Sequence, residues 1–201
     1  MNVTGASGLT PARVVTRKAL GAVDGNVVCG GGNKMMNEFL DERQLADPET
    51  EESWETGSHN HSAIQANLTY LLKRAETYSV YTELSLDTTT LDPQKFKFKD
   101  EIKPDVCVYP KRGLIRPFDI LKMSEMPLLA IEVLSPKQSA YESLEKFAAY
   151  FALVDKSCWL VDTLTAVVSV YSSLNAHQNF TAGEVVDRVI GLQLAFDEIF
   201  E

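Results

Sequence analysis

Two carboxylates in this chain stand where carboxylates are expensive. Glu132 lies inside the apolar run Leu128 to Leu134, LLAIEVL, which reads as a buried strand. Asp105 lies in Ile102 to Tyr109, IKPDVCVY, again flanked by β-forming residues and just after a proline. An ionised carboxylate in such a strand costs several kcal/mol or more unless it is compensated. The compensation is a metal ion or a buried cation such as an Arg or Lys. Two strands that each carry one inward acid suggest a hard-metal site. Oxygen ligands of this kind suit Mg²⁺ or Mn²⁺, which keep several waters and complete their shell with substrate phosphate. Such an ion generates hydroxide and stabilises an in-line phosphoryl displacement, and a nearby cation neutralises the developing charge.

The elements that must carry these acids are legible from periodicity. Leu128 to Lys146 reads as strand, turn and helix: Ser135-Pro136 breaks the strand, and Ser139 to Glu142, SAYE, fits a capping box. Leu144, Phe147, Ala148, Phe151 and Val154 give that helix an apolar face. Upstream, Ile64, Leu68, Leu71, Leu72 and Ala75 share one face, which predicts an amphipathic helix from His61 to Glu76 capped by Ser58 or Asn60. Tyr78 to Leu86 alternates like a strand, with Glu83 as an interruption, and Lys95 to Lys99, KFKFK, alternates as an edge strand or hairpin arm would. Lys111 to Lys122 reads as a basic loop. Cys158 to Asp162 and Ala166 to Tyr171 read as a hairpin, Arg188 to Leu194 as a last strand and Phe196 to Phe200 as a short terminal helix. The order implies an α/β or α+β fold with a mixed central sheet flanked by helices.

Composition narrows the class. At 201 residues, 45% hydrophobic and 23% charged, the chain is long enough for one globular domain with its own core. Cys29, Cys107 and Cys158 form no CxxC pair, which opposes a disulfide framework or a cysteine zinc site and implies free thiols in a cytoplasmic protein. No apolar run approaches a membrane span, and Asp24 and Asn26 interrupt any signal-peptide core. Residues 1–34 read as a weakly ordered extension before a single domain over 35–201, with Met35-Met36 as an alternative native start. The glycines before Lys34 do not match phosphate-loop spacing. The net charge of −9 opposes a nucleic-acid partner, but its distribution matters more. Lys95 to Lys122 holds 8 basic and 4 acidic residues, a net of +4. The acidity lies towards the two ends.

The order of motifs resembles the Uma-two family of restriction-endonuclease-like proteins, within the PD-(D/E)XK nuclease superfamily. The residues that carry the likeness are PDVCVY, then EVLSP 27 residues after its Asp, then Glu142, Lys146 and Tyr150 on the following helix, then CWLVD and VVSVY. HxxI at His61 to Ile64 and the ending GLQLAFDEIF belong to it, and it runs from about Trp54 to the C-terminus. The resemblance implies a restriction-endonuclease-like core and a Mg²⁺-dependent endonuclease acting on DNA. It makes Asp105 and Glu132 ligands of one metal ion, with Glu83 as an outer or second-metal ligand. The lysine of the (D/E)XK motif is absent, because that position is Leu134. Similar members carry a lysine on the next helix, here Lys146, and Lys137 in the turn is the rival. A homodimer is also implied, and the sequence offers Tyr150 and Leu153 on the otherwise polar side of the second helix as a contact.

Against each assignment stands a simpler reading. Glu132 could pair with a structural cation, Asp105 could be a surface acid beside a turn, and Glu83 an exposed strand residue. Lys146 follows Glu142 by four residues, the spacing of a solvent-exposed helix pair. His61 reads more simply as a helix-start residue bonded to a neighbour, His59 and His177 as surface residues and Tyr150 as packing. The competing function is a catalytically inactive nucleic-acid-binding or self-associating module of the same fold, which Leu134 and the acidic ends favour. A third is hydrolysis of another phosphoester.

Overall fold

The computed structural model describes residues 57–98, 100–153 and 156–201. The expectations for the N-terminal extension, the Met35 start, Cys29, the acidic stretch before Glu55, Lys99 and Val154 lie outside these residues.

Helix α1, His59–Arg74, begins where Ser58 supplies an N-cap: its Oγ accepts from the His61 N–H at 3.4 Å. Lys73 and Arg74 close its last turn, where cations complement the helix dipole. Glu76 then takes a positive φ of 56° and turns the chain into strand β1, Tyr78–Thr82. A second positive φ, 52° at Glu83, ends β1. The interruption expected at Glu83 is therefore a backbone reversal, and the strand resumes only as the two-residue β2, Leu86–Asp87. Lys95 to Phe98, the described part of KFKFK, form no strand. Phe96 and Phe98 drop into partly buried positions, and the pairing partner of β2 is instead β3, Glu101–Ile102. The apolar phenylalanines found a cluster to fill rather than a sheet edge to line.

The main sheet follows from β4, Val106–Pro110, β5, Leu129–Leu134, β6, Ser157–Asp162, β7, Val167–Ser173, and β8, Ala176–Phe180. Its strand order is β1-β4-β5-β6-β7-β8. Every neighbouring pair is antiparallel except β5 and β6, which run parallel and are joined by helix α2, Ala140–Ala152. A parallel pair requires such a crossover, and β5 and β6 are near-continuous apolar runs because helices cover both faces there. The expected last strand proves to be a hairpin, β9, Glu184–Asp187, and β10, Leu192–Ala195, turning through Gly191 at φ 70°. Helix α3, Phe196–Phe200, ends the chain as expected.

Alternation sorts the core into two layers. Val106, Val108, Leu129, Ile131, Trp159 and Val161 face α1, whose Ile64, Leu68, Leu71 and Leu72 bury against them with the β9–β10 hairpin and α3. Each buried leucine of α1 contributes about 1.5–3 kcal/mol. Cys107, Tyr109, Ala130, Cys158 and Leu160 face α2. Glu132 has the parity of Ala130, so the strand pleat aims it at α2. The buried stripe of α2 is Ser143, Phe147, Ala149 and Tyr150, rotated from the predicted face, with Leu144 and Phe151 only partly buried. Tyr150 is fully buried, so it offers no contact to a second chain. Asp187, also fully buried, ties the β9–β10 hairpin to β6 by accepting from Ser157 Oγ at 2.5 Å and Trp159 Nε1 at 2.8 Å. Among the described residues no helix is long and apolar enough to cross a membrane.

Candidate metal-binding active site

The β4–β5 register brings the two acids together. Val106 pairs with Ile131 and Cys107 with Ala130. Asp105 immediately precedes β4, and its carboxylate reaches the main chain of Val133, the neighbour of Glu132 on β5. Asp105 is fixed from two sides. Its Oδ2 accepts from the Val133 N–H at 2.6 Å, and its main-chain carbonyl accepts from Gln65 Nε2 at 2.9 Å. Its Oδ1 lies 3.3 Å from His61 Nε2.

Glu132 is 3% exposed. Lys146 Nζ donates to its Oε2 at 2.7 Å, and the Tyr150 hydroxyl donates to its Oε1 at 2.7 Å. Lys146 and Tyr150 are one helical turn apart on α2, so both reach the same carboxylate. Burial pushes the Glu132 carboxyl up to about 7; the Lys146 ammonium opposes this and the Asp105 charge adds to it. The His61 imidazole is also raised above its ordinary value, chiefly by Asp105 and against the effect of burial.

A cleft of about 460 Å³ opens over these groups, and His61, Glu83, Glu101, Lys103, Asp105 and Lys146 supply its charged lining. Glu83 stands on its rim, where its N–H is shared between the carbonyls of Pro104 at 3.1 Å and Asp105 at 3.3 Å. A positive φ at a non-glycine residue costs on the order of 1 kcal/mol, and these two bonds hold it in place. Lys103 pairs with Glu101 at 3.0 Å. The cleft lining is thus acidic on balance, unlike the +4 of the surrounding segment. Several cations of that segment already have acidic partners: Lys97 has Glu145 at 3.5 Å and Arg112 has Glu125 at 3.0 Å.

Asp105, Lys146 and Glu83 line one cleft; Glu132 does not line it, but lies buried behind Lys146. Lys137 is exposed in the turn and does not line it. Lys146 pairs with Glu132 across the βα unit rather than serving only an exposed helix pair with Glu142. Three contributors were undervalued or unseen in the sequence: His61, Gln65 and Tyr150. A signal for the first two existed. His61 and Gln65 continue the apolar stripe of Leu68 and Leu72 at three- and four-residue spacing, and polar residues heading a buried stripe need partners.

Among the described residues no three of His, Cys, Asp or Glu converge on one ion position. The donor set still fits a hard divalent cation. Mg²⁺ and Mn²⁺ take one or two carboxylates and fill the remaining positions with water and substrate. Each carboxylate oxygen has two lone pairs, so Asp105 Oδ1 and the Glu132 oxygens can accept a further partner.

The fold and the site together define a restriction-endonuclease-like protein. The chain belongs to the Uma2 family, described as "putative restriction endonuclease", whose profile matches residues 45–197. Among solved structures it is similar to a protein from Anabaena variabilis ATCC 29413 described as a "putative nuclease belonging to DUF820". The two are 21% identical with a TM-score of 0.56, over 71% of this chain and 81% of the other. That likeness shows the shared fold. No curated protein matches the chain.

Proposed function

We propose that this protein is a Mg²⁺- or Mn²⁺-dependent endonuclease that hydrolyses DNA phosphodiester bonds. The observation that carries the reading is a cleft lined by Asp105, whose carboxylate is anchored on the Val133 N–H next to Glu132, and by Lys146, which is bonded to the buried Glu132. Asp105 and Glu132 would hold the ion, with Glu83 assisting from the rim. When bound, the ion supplies a nucleophilic hydroxide near neutral pH and offsets the charge of the phosphorane.

The protein's own groups do the rest. The Val133 N–H and Gln65 fix Asp105, so that its Oδ1 is presented without reorganisation. Tyr150 orients Glu132 from below. Lys146 keeps a positive charge at the cleft, where the reacting phosphate gains negative charge. Lys111, Arg116 and Lys122 of the loop after β4 would contact phosphates without reading sequence.

The test is cleavage of plasmid, linear and single-stranded DNA with Mg²⁺ or Mn²⁺, comparing wild type with Glu132→Ala. Cleavage by wild type that is lost in a folded variant is the expected result. Full metal-dependent cleavage by Glu132→Ala would overturn the mechanism. One observation favours a second reading, an inactive DNA-binding module: all four oxygens of Asp105 and Glu132 already have protein partners. DNA binding that survives both EDTA and Glu132→Ala, with no cleavage, would establish that reading instead.

A further inference from the structure

We propose that His61 is a nitrogen ligand to the ion held by Asp105, and that it tilts the site towards Mn²⁺ and later first-row metals over Mg²⁺. The inference rests on the metal-dependent reading above and assigns a ligand that reading does not use.

Three observations carry it. The first is spacing. His61 Nε2 and Asp105 Oδ1 are 3.3 Å apart. That is long for a charge-assisted hydrogen bond, which closes to about 2.7–2.9 Å. It is close to the separation of adjacent ligand atoms on an octahedral ion, about 3.0 Å for bonds near 2.1 Å. A small adjustment lets both atoms share one cation.

The second is availability. Asp105 Oδ2 is committed to the Val133 N–H at 2.6 Å, whereas Oδ1 has only the longer 3.3 Å contact to His61 itself, so Oδ1 is the oxygen that an ion shared with His61 would take. Both residues line the cleft.

The third is an unexplained nitrogen. His61 is 8% exposed, yet its Nδ1 is buried with no hydrogen-bond partner among the described residues. A histidine kept for packing normally has both nitrogens satisfied, and an orphan at a cleft points to a role for the ring other than holding itself in place. A Cβ added at Gly57 would stand 3.2 Å from Nδ1. One turn along α1, Gln65 grips the Asp105 carbonyl, so the same helix face positions both candidate ligands.

The consequence concerns metal class. All-oxygen sites suit Mg²⁺, Ca²⁺ and Mn²⁺, whereas an imidazole raises affinity along the first-row series.

The experiment is binding of Mn²⁺ to the full chain, read from the electron paramagnetic resonance of the free ion, with Mg²⁺ as competitor. Wild type, His61→Ala and His61→Gln are compared, and circular dichroism in EDTA confirms that each is folded. Wild type is expected to prefer Mn²⁺, and each variant to lose about tenfold in Mn²⁺ affinity with little change for Mg²⁺. His61→Gln retains bulk and an oxygen donor, so it remains informative where His61→Ala does not fold. An unchanged Mn²⁺/Mg²⁺ ratio in a folded variant, or no Mn²⁺ preference in wild type, would overturn the histidine assignment alone. Wild type that binds neither ion would overturn it together with the metal-dependent function.

Discussion

Lys146 reaches back across the β5–α2 unit to Glu132, fourteen residues earlier, and closes to 2.7 Å on a carboxylate that is almost wholly buried. Position 134 is Leu134, and the ammonium beside Glu132 comes from Lys146 on the following helix. Its side chain keeps 27% of its surface exposed, so the ammonium is shared between a buried partner and the cleft.

Removing that ammonium strands the acid. Lys146→Met is expected to destabilise the metal-free protein by about 1–3 kcal/mol, below the range for a fully buried pair because Glu132 can protonate. The double variant Lys146→Met/Glu132→Gln should lose less than the sum of its parts. Urea unfolding of the four proteins measures the coupling; additive losses would show that the contact carries no energy.

Glu132 should make the metal-free protein less stable as pH rises. Its carboxyl titrates at about 7 when folded and at an ordinary 4.5 when unfolded. Below 4.5 both states hold the proton and the contribution is constant. Between 4.5 and 7 the unfolded chain releases it first, so stability falls, and above 7 the loss is complete. Glu132→Gln removes this dependence. It is expected to be more stable than wild type at pH 8 by on the order of 1–3 kcal/mol, and no more stable at pH 4. Urea unfolding in EDTA across this range tests the sign, and a gap that shrinks with rising pH would refute it.

Tyr150→Phe deletes one oxygen and leaves the ring in place. The loss is the hydrogen bond to Glu132 Oε1, 2.7 Å long and inaccessible to solvent. Leaving that acceptor unsatisfied costs about 1–3 kcal/mol. Thermal unfolding should register this, and a melting temperature equal to wild type would mean another donor takes the place of the hydroxyl.

The structural duty of Asp105 can be separated from the chemical one proposed for it. Asp105→Ala leaves the Val133 N–H without its acceptor and should cost about 1–3 kcal/mol. Asp105→Asn retains an oxygen for that N–H and should recover most of the loss, while DNA cleavage is abolished in both. Cleavage by Asp105→Asn at the wild-type rate would remove Asp105 from the active site.

Much of this arrangement could be read from the chain because burial leaves a mark on sequence. An acid inside LLAIEVL announces a partner, and the strand, turn and capped helix around it have the local signals of a βαβ unit. Ser139 does cap α2, its Oγ accepting from the Glu142 N–H at 3.3 Å. What could not be read was set by tertiary fit. The face that α2 buries follows Tyr150 and Lys146, which bind Glu132, rather than the largest run of apolar residues. KFKFK alternates as a strand would, but its phenylalanines pack into the second core layer, and among the described residues no strand pairs with Lys95 to Phe98. β8 was invisible because Ala176 to Asn179 are exposed at a sheet edge and carry no inward apolar residue until Phe180. Gln65 acts through a main-chain carbonyl forty residues away, and no local pattern encodes that bond.

The cleft walls differ in how they are tied down. β5 pairs on both sides, and five of its six residues are buried. β2 and β3 pair over only two residues. Amide hydrogens of Ile131 to Val133 should therefore exchange with solvent only through global opening, and those of Leu86 to Asp87 and Glu101 to Ile102 through small local excursions. Glu132 therefore lies behind the cleft on a strand held from both sides, while the β2–β3 pair, whose β3 lines the cleft, is held by far fewer bonds. A substrate entering the cleft would be accommodated by movement of Glu101 and Lys103, with the acid on β5 left undisturbed.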